Sequence, residues 1–288
     1  MPFLQALAIF AAGLAAGTIN TVVGSGTLIT FPTLLAFGYP PVLANVSNNV
    51  GLVPGVASGV HGYRAELAGQ RRRIIRLGSA SACGGLVGAI LLLVLPAGAF
   101  KAIVPALIGV AVVMVLIQPR LARWMARRQL DRPAARDGDG AVPGPLGDSG
   151  GGGAASAVGV LPATEVDRRA EAVGGPVLWF FVFCAGVYGG YFGAAQGVLL
   201  IGMLGIAFSD GLQRINAVKN VLAGLVNGVA AVVFIALTHV DWTIAGLIAA
   251  GSILGGQLGA RVGRRLPPWG LRLLIVCVGV AALIKLLA

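Results

Sequence analysis

The sequence contains one glycine-rich pattern twice, at positions 171 residues apart. The stretch GGLVGAILLLVLP occupies 84–96 and GGQLGARVGRRLP occupies 255–267, so both have an opening Gly-Gly, a further glycine (Gly88 or Gly259) and a closing Leu-Pro. Self-similarity at a fixed spacing is typical of a duplicated unit, and we predict two related halves. Other residues pair at this offset or at an offset of 169: Asn45 with Asn216, Asn49 with Asn220, Val50 with Val221, Gly17 with Gly186 and Gly24 with Gly193.

The apolar content of the chain decides what these halves can be. Hydrophobic residues make up 57% of the sequence and charged residues 11%, whereas soluble domains have about 25% charged residues. Several apolar runs approach the roughly 20 residues that cross a bilayer. We predict an all-α polytopic membrane protein with two inverted-topology repeats of about five membrane elements each, in which broken or re-entrant helices lie near the membrane midplane.

The predicted domains are a first transmembrane repeat at 1–118, a flexible cytoplasmic linker at 119–175 and a second transmembrane repeat at 176–288. The linker includes DGDGAVPGPLGDSGGGGAAS, which has too few apolar residues to form a core. The second element of each half is short, which fits either a tilted helix or one arm of a re-entrant hairpin broken at 24–26 or 193–195. The predicted elements are 3–23, 26–38, 41–60, 74–95, 99–118, 176–192, 195–208, 214–237, 243–262 and 269–287.

The positions of the arginines indicate that the two halves have opposite orientations. The loop at 61–76 contains five arginines, whereas its counterpart near 238–242 contains no Arg or Lys. In the second half the basic loop is 261–272. Because loops that are rich in Arg stay on the cytoplasmic side, equivalent loops lie on opposite sides of the membrane. The net charge of +11 is explained in the same way, which disfavours a nucleic-acid partner. Inverted repeats are a hallmark of secondary transporters.

Carboxylates are scarce outside the linker. Only Glu66, Asp210 and Asp241 occur there, and all three are predicted in loops. Asp and Glu at bilayer depth usually mark sodium sites and proton relays. Their absence from the predicted spans favours an anion or a neutral solute as cargo.

Lys219 is the strongest candidate for contact with an anion. It lies in the apolar run NAVKNVLAGLVNG, and a lysine at membrane depth needs an anion, a carbonyl or water. The alternative is that Lys219 snorkels to the cytoplasmic surface beside Arg214. Asn216 and Asn220 share one helical face with Lys219, although such amides also hydrogen-bond between helices merely for packing.

The two breaks in the predicted helices are the second candidate. GTINTVVGSGT at 17–27 and GGYFGAAQG at 189–197 are rich in glycine within apolar sequence. A break exposes backbone N–H groups at a half-helix N-terminus, which can hold an anion. The alternative is close helix packing through glycine, which also explains the ladders Gly84/Gly88 and Gly255/Gly259.

The cysteines indicate no metal site. Cys83, Cys184 and Cys277 lie far apart inside apolar runs, and we predict that they are buried structural thiols. Their spacing fits no zinc or haem motif. We predict no cofactor and no metal.

The chain resembles the TauE/SafE family of sulfite exporters, also described as the TSUP anion permeases. The resemblance rests on AAGTINTVVGSGTLITFPTLLAFG, NVSNNV, a basic loop and GGLVGA in the first half. In the second half it rests on GVYGGYFGAAQGVLL, NAVKNVLAGLVNGV, VDW and GGQLGARVGRRLP. It implies a bacterial cytoplasmic-membrane transporter for sulfite, an organosulfonate or another small organic anion.

We therefore expect a multi-pass carrier in the bacterial cytoplasmic membrane that works by alternating access. Its partners would be a small anion, the lipid bilayer and, if it oligomerises, further copies of itself. A membrane-embedded enzyme or a non-transporting scaffold is the alternative. The predicted substrate-binding residues are Asn20, Thr21, Ser25, Thr27, Asn45, Asn48, Asn49, Tyr188, Gln196, Asn216, Lys219 and Asn220.

Overall fold

The structure is a computed structural model that describes residues 1–130, 175–208, 210–262, 276–277 and 280. The regular secondary structure within these residues is entirely α-helical, as predicted. The helices are α1 (Phe3–Val22), α2 (Thr27–Ala36), α3 (Pro41–Gly62), α4 (Arg71–Val94), α5 (Ala97–Leu130), α6 (Pro176–Tyr191), α7 (Gln196–Ala207), α8 (Leu212–Leu237) and α9 (Trp242–Val262).

The fifth helix is the main difference from the predicted elements. It continues past residue 118 to Leu130, into the segment predicted as a linker. The residues after Pro119 are mostly Arg, Ala, Leu, Met and Gln, which favour helix strongly enough to continue it beyond the proline. The remainder of that segment, and the tenth predicted element apart from 276–277 and 280, lie outside the described residues.

Helix length separates spanning elements from short ones. In the part of the chain that the structure describes, five segments are long and apolar enough to cross a membrane: α1, α4, residues 98–120 of α5, α8, and residues 242–261 of α9. By contrast, α2 has 10 residues and α7 has 12. At about 1.5 Å per residue they rise about 15 and 18 Å, well short of a hydrocarbon core of about 30 Å. Neither short helix crosses the bilayer by itself.

The repeated glycines are positions of backbone contact between helices from different halves. In α4, a methyl group on Gly84 or Gly88 would meet the carbonyl oxygen of Phe183 or Val187 in α6. Gly255 in α9 makes the equivalent contact with Leu14 in α1. The duplicated motif therefore packs α4 on α6 and α9 on α1 in the same manner, and it does so because glycine alone permits that approach.

Six of the described helices form two groups, each drawn from both halves. The first group contains α1, α3 and α9, and the second contains α4, α6 and α8. The groups meet where α3 crosses α8. There Asn49 contacts Asn227, while Val56 packs near Gly224. Because the later residue of α3 contacts the earlier residue of α8, these equivalent helices run in opposite directions.

The prediction for the cysteines is wrong. Cys83, Cys184 and Cys277 are all exposed on the outside of the protein. In a membrane protein that exterior faces lipid, so an apolar thiol suits it as well as it suits a core.

Candidate functional site

The first predicted break lies where the sequence places it, between α1 and α2. The backbone N–H groups of Val23 and Gly24 both donate to the carbonyl oxygen of Ile19, which ends α1. Gly24 then adopts φ +88°, a conformation that favours glycine. The side chain of Asn20 turns back and accepts a hydrogen bond from the Gly26 N–H at 2.7 Å. The chain re-enters helix at Thr27.

The second break has a related geometry between α6 and α7. Gly193 adopts φ +78°, and Ala195 adopts φ +63°, a rare conformation for a residue with a side chain. The Tyr188 hydroxyl donates a short hydrogen bond to the carbonyl oxygen of Ala194. That bond holds the turn between α6 and α7, so the hydroxyl of this predicted binding residue is already occupied.

The two breaks touch each other. The Gly197 N–H donates to the Gly24 carbonyl oxygen at 3.1 Å, and a methyl group on either glycine would collide with the backbone of the other. The contact joins α1 and α2 to the start of α7. It also occupies one of the N–H groups that a half-helix N-terminus would offer to an anion, and Asn20 occupies another.

A polar face of α8 covers the C-terminal end of α1. The Lys219 ammonium donates to the carbonyl oxygens of Asn20 at 2.9 Å and Thr21 at 3.4 Å. Asn216 and Asn220 donate to the Thr21 carbonyl at 3.1 and 3.2 Å. These carbonyls belong to the last turn of a helix, which carries partial negative charge. Lys219 is 0% exposed, so the alternative that it snorkels to the surface is wrong.

The other half repeats one of these contacts. Asn45, the counterpart of Asn216, donates to the Tyr191 carbonyl at the end of α6, at 3.0 Å. The counterpart of Lys219 at the 171-residue offset is Asn48, which is also buried. The buried lysine of the second half therefore has a buried amide as its counterpart in the first half.

Several polar atoms at the two breaks, in α3 and in α8 are buried without a hydrogen-bond partner among the described residues. Buried polar groups are paired in the great majority of cases, so unpaired ones indicate capacity for a ligand or water. Five of the predicted residues contribute such an atom. They are Ser25 Oγ, Gln196 Nε2, Asn48 Oδ1, Asn49 Oδ1 and Asn216 Oδ1.

The remaining predicted residues have mixed positions. Thr27 is buried at the start of α2, and Thr21 contributes its carbonyl, since its hydroxyl donates to Gly17 at 2.9 Å. Tyr63 was missed: it is buried, and its hydroxyl accepts a hydrogen bond from Asn216 at 3.1 Å. Because Tyr63 follows α3 directly beside a basic loop, the sequence pattern gave no signal that its side chain points inwards.

The charged groups of the loops include ion pairs of their own. Glu66, Asp210 and Asp241 are all outside the helices, as predicted. Asp210 forms ion pairs with Arg73 and, at 3.4 Å, with Arg214. No carboxylate is shown in contact with Lys219 among the described residues. The described residues also contain no cluster of three His, Cys, Asp or Glu side chains that could bind a metal ion.

Two helix breaks that touch, flanked by long apolar helices, define a polytopic membrane protein with a polar interior site. The chain belongs to the family described as Sulfite exporter TauE/SafE, whose sequence model matches residues 9–286. It is thus a member of a family of membrane transporters.

Two relatives have similar lengths to this chain. A protein of Sinorhizobium sp, named probable membrane transporter protein ORF9, is 24% identical over 97% of this chain and 91% of its own length. The probable membrane transporter protein YfcA of Escherichia coli strain K12 is 24% identical over 91% of this chain and 81% of its own length. No solved structure matches the chain.

Proposed function

We propose that this protein is a secondary transporter for a small sulfur-containing or organic anion, such as sulfite or an organosulfonate. The observation that carries the proposal is the buried Nζ atom of Lys219, which lies beside the touching breaks with backbone carbonyls as its hydrogen-bond acceptors. In its protonated form Lys219 is a buried cation without a carboxylate, which is costly and is stabilised by a counter-anion. A transported anion can supply that charge.

The unpaired groups of the site fit the same class of substrate. The Ser25 hydroxyl and the Gln196 amide N–H can donate to anion oxygens, and both are buried. The asparagine amides can turn to present either their N–H₂ group or their oxygen. A site with one cation and several neutral donors binds an anion while still permitting its release.

The arrangement of the helices supports alternating access. Equivalent glycine contacts join α1 to α9 and α6 to α4, and the equivalent helices α3 and α8 cross in opposite directions. Both features are expected of inverted repeats, whose halves can exchange conformations across the membrane. We place the carrier in the bacterial cytoplasmic membrane, with the arginine-rich loop at 61–76 on the cytoplasmic side.

The test is uptake of radiolabelled sulfite into liposomes that contain the purified protein. We expect uptake above that of protein-free liposomes, faster exchange when unlabelled sulfite is present inside, and competition by small sulfonates. An uptake rate that stays the same when unlabelled sulfite is present inside would contradict a carrier mechanism. Uptake equal to that of protein-free liposomes for sulfite, sulfonates and small carboxylates would refute the proposal.

A further inference from the structure

One cavity of about 580 Å³ opens at the basic end of the helices. It lies between the C-terminal end of α3 with the loop that follows it, and the C-terminal end of α9. Its polar lining consists of His61, Arg64, Glu66, Gln257 and Arg261. The cavity is large enough for a small hydrated anion.

The cavity adjoins the polar cluster at the end of α1. Gly59 and Gly259, on the two helices that line it, both pack against the side chain of Thr21. Tyr63 lies in sequence between lining residues Gly62 and Arg64, is buried, and contacts Asn216 through its hydroxyl. A single buried tyrosine therefore connects the lining of the cavity to the residues that surround Lys219.

The lining is positively charged in a way that the other half does not repeat. Arg64 and Arg261 face one carboxylate, Glu66, and the Arg64 guanidinium contacts His61 Nε2 at 2.8 Å. At the 171-residue offset, His61, Arg64, Gln257 and Arg261 correspond to Val232, Ile235, Leu86 and Ile90.

All four of these counterparts are exposed apolar side chains. The rule that arginines stay on the cytoplasmic side explains positive charge at this end. It does not require that the arginines line a cavity next to the site.

We propose that this cavity is the vestibule through which the anion passes between the basic side of the membrane and the Lys219 site. Arg64 and Arg261 attract and hold the anion there, and Tyr63 closes the inner end. This inference rests on the proposed function, since it names the route to the same site. Two arginines and one carboxylate give the lining a net positive charge, and a positively charged cleft raises the local concentration of anions.

The test uses a cysteine at Ala65, an exposed lining residue, in a background in which the three native cysteines are replaced by serine. The Ala65→Cys protein is treated with two thiol reagents of similar size, one with a sulfonate (MTSES) and one with a quaternary ammonium (MTSET). We expect faster labelling by the sulfonate. In a water-like dielectric and at low ionic strength, where screening is weak, each cation about 10 Å away changes the local anion concentration about twofold.

Replacing both arginines (Arg64→Gln with Arg261→Gln) should therefore lower the MTSES rate about fourfold and raise the MTSET rate by a similar factor. The matched control is Arg71→Gln, since Arg71 is exposed at the first position of α4 and outside the cavity. The control should change neither rate by more than about twofold. Equal effects of the control and the double variant would overturn the inference.

Transport supplies the second measurement. Labelling with MTSES should block anion flux, and the double arginine variant should raise KM at the basic face while leaving it unchanged at the opposite face. Full labelling with normal flux would refute the vestibule and leave the proposed function standing. A wild-type protein that moves no anion would refute the proposed function, while the labelling rates would still test whether the cavity favours anions.

Discussion

Lys219 provides the most decisive prediction, because we expect its replacement to change the stability of the fold little and the transport of the anion strongly. The variant is Lys219→Met, which keeps the length of the side chain and removes the charge. For the stability of the fold, the change removes the hydrogen bond from the charged Lys219 side chain to the Asn20 carbonyl. Such a bond contributes about 1.5–3 kcal/mol to the free energy of unfolding. The change also removes a buried cation whose desolvation costs several kcal/mol. These terms oppose each other, so we expect the free energy of unfolding to change by less than about 2 kcal/mol.

In transport, the change removes the cation of the site. A pair of unit charges about 4 Å apart at an effective dielectric of 20 gains about 4 kcal/mol. If desolvation of the anion offsets about half of this, about 2 kcal/mol remains, which corresponds to roughly a thirtyfold weaker affinity. We expect KM for the transported anion to rise by about that factor in proteoliposomes, while thermal unfolding in detergent stays near that of the wild type.

The matched control is Ser81→Ala. Ser81 is also buried, and its hydroxyl has no hydrogen-bond partner among the described residues. It lies on α4, where its carbonyl oxygen packs near Gly186 of α6. Its removal should leave KM unchanged. If Lys219→Met transported with the KM of the wild type, the lysine would serve only to cap α1, and the reasoning that makes it the anion's counter-charge would be refuted.

Three further variants test the breaks and the basic loops. Gly24→Ala should lower the free energy of unfolding by at least about 2 kcal/mol, because the added methyl group would collide with Gly197 and the φ of Gly24 is unfavourable for alanine. Gly38→Ala is the control, since Gly38 has a similar φ but open space around it, and it should cost only about 1 kcal/mol in the same chemical denaturation. Equal losses for the two variants would contradict the tight contact between Gly24 and Gly197. Ser25→Ala should slow uptake severalfold without lowering the melting temperature, since it removes a hydroxyl that is buried and unpaired among the described residues; a lower melting temperature with normal uptake would assign it a packing role. Asp210→Ala should cost less than about 1 kcal/mol in thermal unfolding, because this ion-paired carboxylate is 23% exposed; a larger loss would show that the ion pairs hold the loops together.

The helices were predictable from the sequence because their signals are local. Apolar runs of about 20 residues, and glycine clusters such as Gly24-Ser25-Gly26, mark where a helix runs and where it stops. The site was predictable in part, because Lys219 stands out in an apolar run. Its partners were not, since the last carbonyls of α1 carry no sequence signal.

Two other errors have a related origin. Cys83 faces outwards, and Tyr63 faces inwards from the basic end of α3. Both directions depend on which helices pack together, and a lipid-facing surface is as apolar as a core. Helix periodicity therefore cannot tell the two surfaces apart in a membrane protein.

The glycine contacts also indicate which helices would move together as rigid pairs. Between α1 and α9, and between α4 and α6, backbone lies directly on backbone, so no side chains are available there to change rotamer and absorb a displacement. Each pair therefore combines one helix from the first half of the chain with one from the second half. In the proposed alternating-access cycle, one pair would rock against the other across the α3–α8 crossing. The boundary between the moving parts would then run across the two predicted repeats and not between them.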